Sequence, residues 1–401
     1  MAKPGIPQDQ ARRIILARGL RDFGDGFIAV LLPVYLATFG FSAAMIGLAA
    51  TLALLGSAAM TLAMGLWGGG VAPRALLLGC AALMALTGAA FAVTGEPALL
   101  LLAAALGTAN PSAGSASIFA PVEQSALSGH VAARDRTAMF ARYSFVGAMA
   151  AAVGALASAS PELLEHLGLT PLGALRAMFW LYAALGLAIA AIYAGLVEAG
   201  PPPSREAGRL GPSRGIVTRL ALLFSVDAFA GGFAVQSLMA LWLFERFGMS
   251  LATAALFFFW AGVLGAFSLP LAGWLGARIG LVNTMVFSHI PASLCLMAAA
   301  LVPDLGWALG LLLLRAALSQ MDVPARASYV MAVVTPAERV AAASFTAVPR
   351  SLAAAGGPVL AGMLFSAGLS AWPFLICGGL KIAYDLALLA MFRRIRPEEE
   401  A

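Results

Sequence analysis

The chain has 401 residues, of which 61% are hydrophobic and 11% charged, with a formal net charge of +5. An ordinary soluble domain is roughly a quarter charged, so a water-soluble fold is excluded. Residues 27–73, 97–122, 247–277 and 351–380 carry no Asp, Glu, Lys or Arg, and about 20 apolar residues in a helix cross a bilayer core. These runs are rich in Leu, Ala and Gly and do not alternate apolar with polar, which excludes the strands of an outer-membrane barrel. The fold class is therefore an all-α integral membrane protein.

In chain order, charges, Gly/Pro clusters and interfacial Trp divide the sequence into twelve spans, near 17–39, 44–67, 74–95, 97–128, 138–160, 174–197, 217–244, 251–276, 280–302, 305–334, 340–367 and 371–393. Arg12 and Arg13 precede the first span, but Arg18, Arg21, Asp22 and Asp25 interrupt it and no small-residue cleavage site follows, so it is expected to remain as a membrane helix. In the fourth span, Gly107 to Gly114 with Asn110, Pro111 and Ser112 predicts a break near the midplane. Ala150, Gly154 and Ser158 recur every four residues in the fifth, a stripe for close helix approach.

With the N-terminus in the cytoplasm, Lys3, Arg12, Arg13, Arg18, Arg74, Arg134, Arg136, Arg205, Arg209, Arg214, Arg219, Arg278, Arg339, Arg393, Arg394 and Arg396 fall on one side and only Arg176 and Arg246 on the other. The positive-inside rule then puts both termini in the cytoplasm of a cell inner membrane. The net charge reflects topology and lipid headgroups, and it does not argue for a nucleic-acid partner. Trp67, Trp242, Trp274, Trp307 and Trp372 lie near span ends, as an aromatic belt requires.

The polar connection 198–216 contains Pro201, Pro202, Pro203 and Pro212 with Arg and Glu interspersed. It reads as a cytoplasmic linker between an N-terminal six-helix bundle, 1–197, and a C-terminal one, 217–401. The halves repeat. Pro121, Asp135-Arg136 and Gly154 are echoed by Pro324, Glu338-Arg339 and Gly357 at an offset of 203. Gly26-Phe27 matches Gly232-Phe233, Phe39-Gly40 matches Phe247-Gly248 and Trp67 matches Trp274, at offsets of 206 to 208. Two pseudo-symmetric six-helix bundles follow from this register.

Six plus six helices, a charged central loop, acid–Arg pairs after spans 4 and 10 and Gly356-Gly357-Pro358 in span 11 resemble the major facilitator superfamily over essentially the whole chain. The family's loop between helices 2 and 3 usually reads Gly-x-x-x-Asp-Arg-x-Gly. Here Gly65 to Arg74 lacks the Asp, and Gly273 to Gly280 keeps Arg278 and Gly280 but also lacks it. The Arg of drug–proton antiporters is missing from span 4, although Arg315 occupies a comparable place in span 10. The resemblance implies a secondary transporter working by alternating access, with spans 1, 4, 7 and 10 lining a cavity.

Ionisable residues at membrane depth face a cavity, pair with one another, or both. Candidates for coupling or gating are Arg21, Asp22, Asp25, Glu123, Arg142, Asp227, Asp322 and Arg326. Asp25, Asn110, Asp227, Gln236, Arg315, Gln320 and Arg350 are candidates for substrate or cavity contact. Spacing of four residues allows local pairs Arg21–Asp25 and Lys381–Asp385, and Glu123 is expected beside Arg142 with, by pseudosymmetry, Arg326 opposite. The alternative for Asp22, Asp25 or Asp227 is a carboxyl group that exchanges protons during transport.

Cys80, Cys295 and Cys377, like His130, His166 and His289, are scattered without ligand spacing, so no metal is predicted. No phosphate-binding loop occurs and no cofactor is expected. The sequence is not that of an enzyme. The expected partners are a small solute, protons and membrane lipid, with the chain acting as a monomer and export favoured. Organic-anion uptake or exchange, motivated by Arg315 and Arg350, and a non-transporting receptor of the same fold are the alternatives.

Overall fold

A computed structural model describes residues 8–67, 71–112, 117–128, 133–197, 211–335 and 338–392. Sixteen helices are found among them: α1 Gln8–Thr38, α2 Ala43–Trp67, α3 Pro73–Val93, α4 Pro97–Leu106, α5 Ala120–Ser128, α6 Ala133–Ala157, α7 Ser160–His166, α8 Pro171–Ala194, α9 Arg214–Gly232, α10 Gln236–Phe247, α11 Leu251–Ile279, α12 Leu281–Leu301, α13 Leu305–Ser319, α14 Asp322–Ala332, α15 Arg339–Ser366 and α16 Trp372–Phe392. By length and composition ten helical stretches among the described residues suffice to cross a membrane. The 31-residue α1, which carries the charges of the first span, and the interrupted α4–α5 pair account for the other two of the twelve expected spans.

The break in span 4 is where the sequence put it. α4 ends at Leu106, and Gly107 continues in extended backbone. A Cβ on Gly107 would meet the Ala103 carbonyl at 2.3 Å and the Thr87 side chain at 2.6 Å. Asn110 Oδ1 then accepts from the Ser112 amide at 2.9 Å, so this side chain satisfies backbone freed by the break. Gly114 and Ser115 lie outside the described residues. Spans 7 and 10 are also interrupted, between α9 and α10 and between α13 and α14. Neither gap contains a proline, although the Gly231-Gly232 pair closes α9 just before the first of them.

Residues divide into two compact units. The first comprises Met1–Ser42, Leu52–Ser204 and Met249–Phe259; the second comprises Ala43–Thr51, Arg205–Gly248 and Trp260–Ala401. The main cut, between Ser204 and Arg205, lies inside 198–216, while α2 and α11 each contribute to both units.

Inside each unit the repeat has a physical cause. In the first, α1 packs along α6, and a Cβ on Gly26 would sit 2.1 Å from the Ala151 carbonyl oxygen, one on Gly154 2.0 Å from that of Phe23. In the second, α9 packs along α15, and a Cβ on Gly232 would sit 2.4 Å from the Ala354 carbonyl oxygen, one on Gly357 2.4 Å from Gly232 itself. The matched glycines are thus the points where two backbones touch. Gly40 and Gly248, the second matched pair, have φ of 77° and 60°, left-handed conformations that glycine adopts without a Cβ penalty.

Candidate functional site

The first unit buries one continuous polar cluster. α1 presents Arg18, Asp22 and Asp25 at spacings of four and three residues, hence on one face, with Arg21 beside them. Arg18 Nε lies 2.7 Å from Asp22 Oδ2, a local pair, whereas Arg21 Nη1 reaches 2.8 Å to Glu123 Oε2 on α5. The expected Arg21–Asp25 pair does not form, because Arg21 is held by the fully buried Glu123. Glu123 also accepts from the Tyr143 hydroxyl of α6 and the Tyr193 hydroxyl of α8, each at 2.5 Å. With one guanidinium and two phenols, both carboxylate oxygens are bonded, which is the condition for keeping such a group away from water.

Tyr143 stands where Arg142 was expected. A difference of one residue turns a side chain by about 100° on a helix, and Arg142 is exposed, facing a groove of about 290 Å³ shared with Arg12, Leu16 and Gly19. Arg18, Tyr143, Tyr182 and Tyr193 were missed from the sequence. Their signal was scarcity: the chain has 6 Tyr against 23 Phe, and all of these tyrosines are buried. A phenol retained in a chain that otherwise uses Phe marks a buried polar partner.

Asp25 is set apart from this pairing. Its Oδ1 accepts from the Tyr182 hydroxyl at 3.1 Å, and that hydroxyl is 3.0 Å from Thr108 Oγ1. Among the described residues, Asp25 is the buried carboxylate of the spanning helices with no Arg, Lys or His nitrogen within 4.0 Å. A cavity of about 10 Å³, room for one water, adjoins it and is lined also by Arg21, Ser117, Phe119 and Tyr182. Nη2 of Arg21 has no hydrogen-bond partner among the described residues.

The second unit buries a separate cluster. Asp227 of α9 takes Arg326 Nη1 of α14 on Oδ2 at 3.0 Å and Lys381 Nζ of α16 on Oδ1 at 2.6 Å. Asp322, four residues before Arg326, adds a 3.2 Å contact. The expected Lys381–Asp385 pair is corrected here: Lys381 serves Asp227, and Asp385 instead meets His289 Nδ1 of α12 at 3.2 Å. His289 was passed over as an isolated histidine, since nothing in the sequence announces a partner 96 residues away.

The remaining candidates take other places. Gln236 opens α10 and is half-buried; Gln320 follows α13 and is exposed. Arg315 is half-buried, with the thiols of Cys295 and Cys377 as its electrostatic neighbours. Arg350 is exposed on α15, in the electrostatic neighbourhood of Arg326, Asp227 and Asp322. Neither guanidinium has a carboxylate within 4.0 Å among the described residues.

Outside the spans, Glu338 precedes α15 and gathers the far end of the linker. Its carboxylate accepts from Ser213 Oγ and Thr335 Oγ1, each at 2.7 Å, and from the Gly211 amide at 2.5 Å. These bonds to the charged form hold its pKa down at about 2, below the ordinary 4.5. The matching Asp135-Arg136 side chains lie outside the described set.

The sequence profile described as Major Facilitator Superfamily matches residues 14–321 and 221–401. An uncharacterised membrane protein of Saccharomyces cerevisiae is 24% identical over 416 residues, covering 93% of this chain and 92% of its own length. Among solved structures, a bacterial homolog of the human lysosomal transporter Spinster, inward-facing and occupied, superposes with a TM-score of 0.69 at 20% identity, covering 97% of this chain and 96% of that one. The human organic anion transporter MFSD10 superposes with a TM-score of 0.63 at 16% identity, covering 94% and 99%. At these identities the structural likeness shows the fold alone.

Proposed function

From membership of the Major Facilitator Superfamily, to which this chain belongs, we propose that it is a proton-coupled secondary transporter that exports a small solute, with Asp25 as the coupling carboxyl group. Membrane transport is the property the family and fold support; the proton, the direction and the residue are the proposal. The observation that carries it is the contrast in partners. Asp22, Glu123, Asp227 and Asp322 each have a Lys or Arg within 4.0 Å and Asp385 has His289, whereas Asp25, among the described residues, has only hydroxyl neighbours and a one-water cavity. For a buried carboxylate without a fixed cation, a proton is the available counter-ion. A single such acid suits antiport, in which loading the proton and loading the solute exclude each other. The reading includes a monomer in the inner membrane with both termini cytoplasmic, on the strength of the basic residues sorted to one side.

The test uses purified protein in liposomes that enclose a pH-sensitive dye. A library of small solutes is scanned for compounds whose addition moves protons, and the hits are repeated with Asp25→Asn. The expected result is loss of solute-driven proton movement, while exchange of labelled for unlabelled solute persists. Full proton movement by Asp25→Asn, or solute flux indifferent to a pH gradient in the native protein, rejects the coupling role.

A second reading, organic-anion uptake or exchange, is favoured by Arg315 and Arg350, whose guanidinium groups have no carboxylate partner among the described residues. It predicts that anionic hits dominate the scan and that Arg350→Gln raises the half-saturating concentration for anions without affecting neutral solutes.

A further inference from the structure

His289 is buried among charges that its own protonation rearranges. Its ring is 4% exposed and lies edge-on to Tyr384, with centroids 6.2 Å apart. Nδ1 stands 3.2 Å from Asp385 Oδ1, and Nε2 stands 3.3 Å from Lys381 Nζ and 3.8 Å from Asp227 Oδ1. An ammonium only donates, so Nε2 must accept from Lys381 and Nδ1 must carry the hydrogen donated to Asp385. The geometry is that of a neutral imidazole with a defined tautomer.

Charge on the surrounding elements agrees. α9 contributes Asp227, α14 contributes Asp322 and Arg326, and α16 contributes Lys381 and Asp385. Arg350 on α15 faces the same acids at longer range, while Arg315 on α13 lies toward the two thiols. With Arg350 counted at its longer range beside Arg326 and Lys381, three carboxylates balance three permanent cations when the ring is neutral. Oδ2 of the fully buried Asp385 has no hydrogen-bond partner among the described residues, so this carboxylate leans on His289 alone.

We propose that His289 with Asp385 is a proton-binding site whose occupation releases Lys381 from Asp227. A proton arriving at Nε2 creates an N–H aimed at an ammonium 3.3 Å away, two donors facing each other with no acceptor between them. Asp227 Oδ1 is the near acceptor, and Lys381 occupies it. The imidazolium takes over that oxygen while Nδ1–H keeps Asp385. Lys381, 13% exposed, is the more solvent-accessible of the competitors and withdraws. One proton is bound, no covalent bond other than N–H forms, and one ammonium is freed for an anion or water. The inference does not rest on Asp25 or on any transported solute.

The chain has three histidines, so ¹⁵N-histidine labelling of the full-length protein in lipid nanodiscs gives a spectrum simple enough to assign with His289→Gln. The expected result is an Nδ1–H tautomer at high pH that becomes doubly protonated on titration between pH 8 and pH 4.5. Lys381→Met removes the competitor and is expected to shift that midpoint up by about one pH unit, equivalent to tenfold in proton affinity. Asp385→Asn is expected to shift it down by a similar amount. The native protein alone is decisive if a variant fails to fold: an Nε2–H tautomer, or a ring that never takes a second proton over this range, overturns the proposal. So does a midpoint indifferent to Lys381→Met.

Discussion

The two units solve the same packing problem with the same residues and the same electrostatic problem with opposite ones. The offset of 206 that carries Gly26 to Gly232 also carries Arg21 to Asp227, and the offset of 203 that carries Pro121 to Pro324 carries Glu123 to Arg326. Each unit therefore holds a buried arginine–carboxylate pair between its first and fourth spans, Arg21–Glu123 in one and Arg326–Asp227 in the other. The sign is inverted. Backbone contact leaves no freedom at the glycines, whereas an ion pair is unchanged in its Coulomb energy when its ends are exchanged. Repetition is thus tightest where geometry is the constraint and loosest where only charge balance is. The shells around the pairs differ too: phenols surround Glu123, while a lysine and a second carboxylate complete the cluster at Asp227 and Arg326.

The largest effect expected from breaking this comparison is removal of one end of a pair. Glu123→Gln leaves Arg21 with Asp22 alone, and Asp227→Asn leaves both Arg326 and Lys381 short of an acceptor. Each should cost about 3–5 kcal/mol, more for Asp227→Asn, as a fall in thermal or SDS-induced unfolding midpoint. The doubly substituted Arg21→Glu with Glu123→Arg sharpens the point. It should recover a measurable part of the loss of either single variant; no recovery would mean that the inverted sign in the second unit depends on its surroundings and is not a free choice.

Smaller is the effect of a methyl group at the crossings. Gly26→Ala and Gly232→Ala should each destabilise by about 1–3 kcal/mol through overpacking against a carbonyl oxygen, Gly26→Ala more, since its Cβ has 2.1 Å of room against 2.4 Å. Gly40→Ala, in open space at positive φ, tests strain without contact and should cost about 1 kcal/mol.

The smallest effect is local and has no described counterpart in the first unit. Glu338 binds its donors as a carboxylate, so the stability they give is complete above the ordinary pKa of 4.5 and is lost as pH falls toward about 2. Hydrogen exchange at the Gly211 and Ser213 amides should accelerate relative to the intrinsic rate as pH drops below about 4. Glu338→Gln should show the same opening at neutral pH. Unchanged protection in both would remove the anchor.

Much of the architecture was legible because lipid leaves few options. Charge-free apolar runs gave the spans, basic residues divided the loops, and Gly107 with Asn110 and Pro111 gave the break in span 4. The breaks after Gly232 and Ser319 were not read from the sequence, because neither gap holds a proline. For the site, Arg21, Glu123, Asp227 and Arg326 stood out as costly intramembrane charges, but their partners did not. Pairs separated by about a hundred positions leave no spacing to read, and a register shift of one residue, Arg142 for Tyr143, moves a side chain to another face. The same blindness hid His289.

The one-water cavity at Asp25 has a consequence for ion selectivity. The lining combines a single carboxylate and the hydroxyls of Ser57, Thr108, Ser117 and Tyr182 with the Arg21 guanidinium and the Phe119 ring. A metal cation entering a volume of about 10 Å³ could bring no hydration water with it and would sit beside a fixed positive charge. A proton requires neither volume nor a coordination sphere, only one free oxygen on the carboxyl group. For the coupling role proposed for Asp25, the dimensions of the pocket, more than the chemistry of the acid, would favour hydrogen ion over sodium.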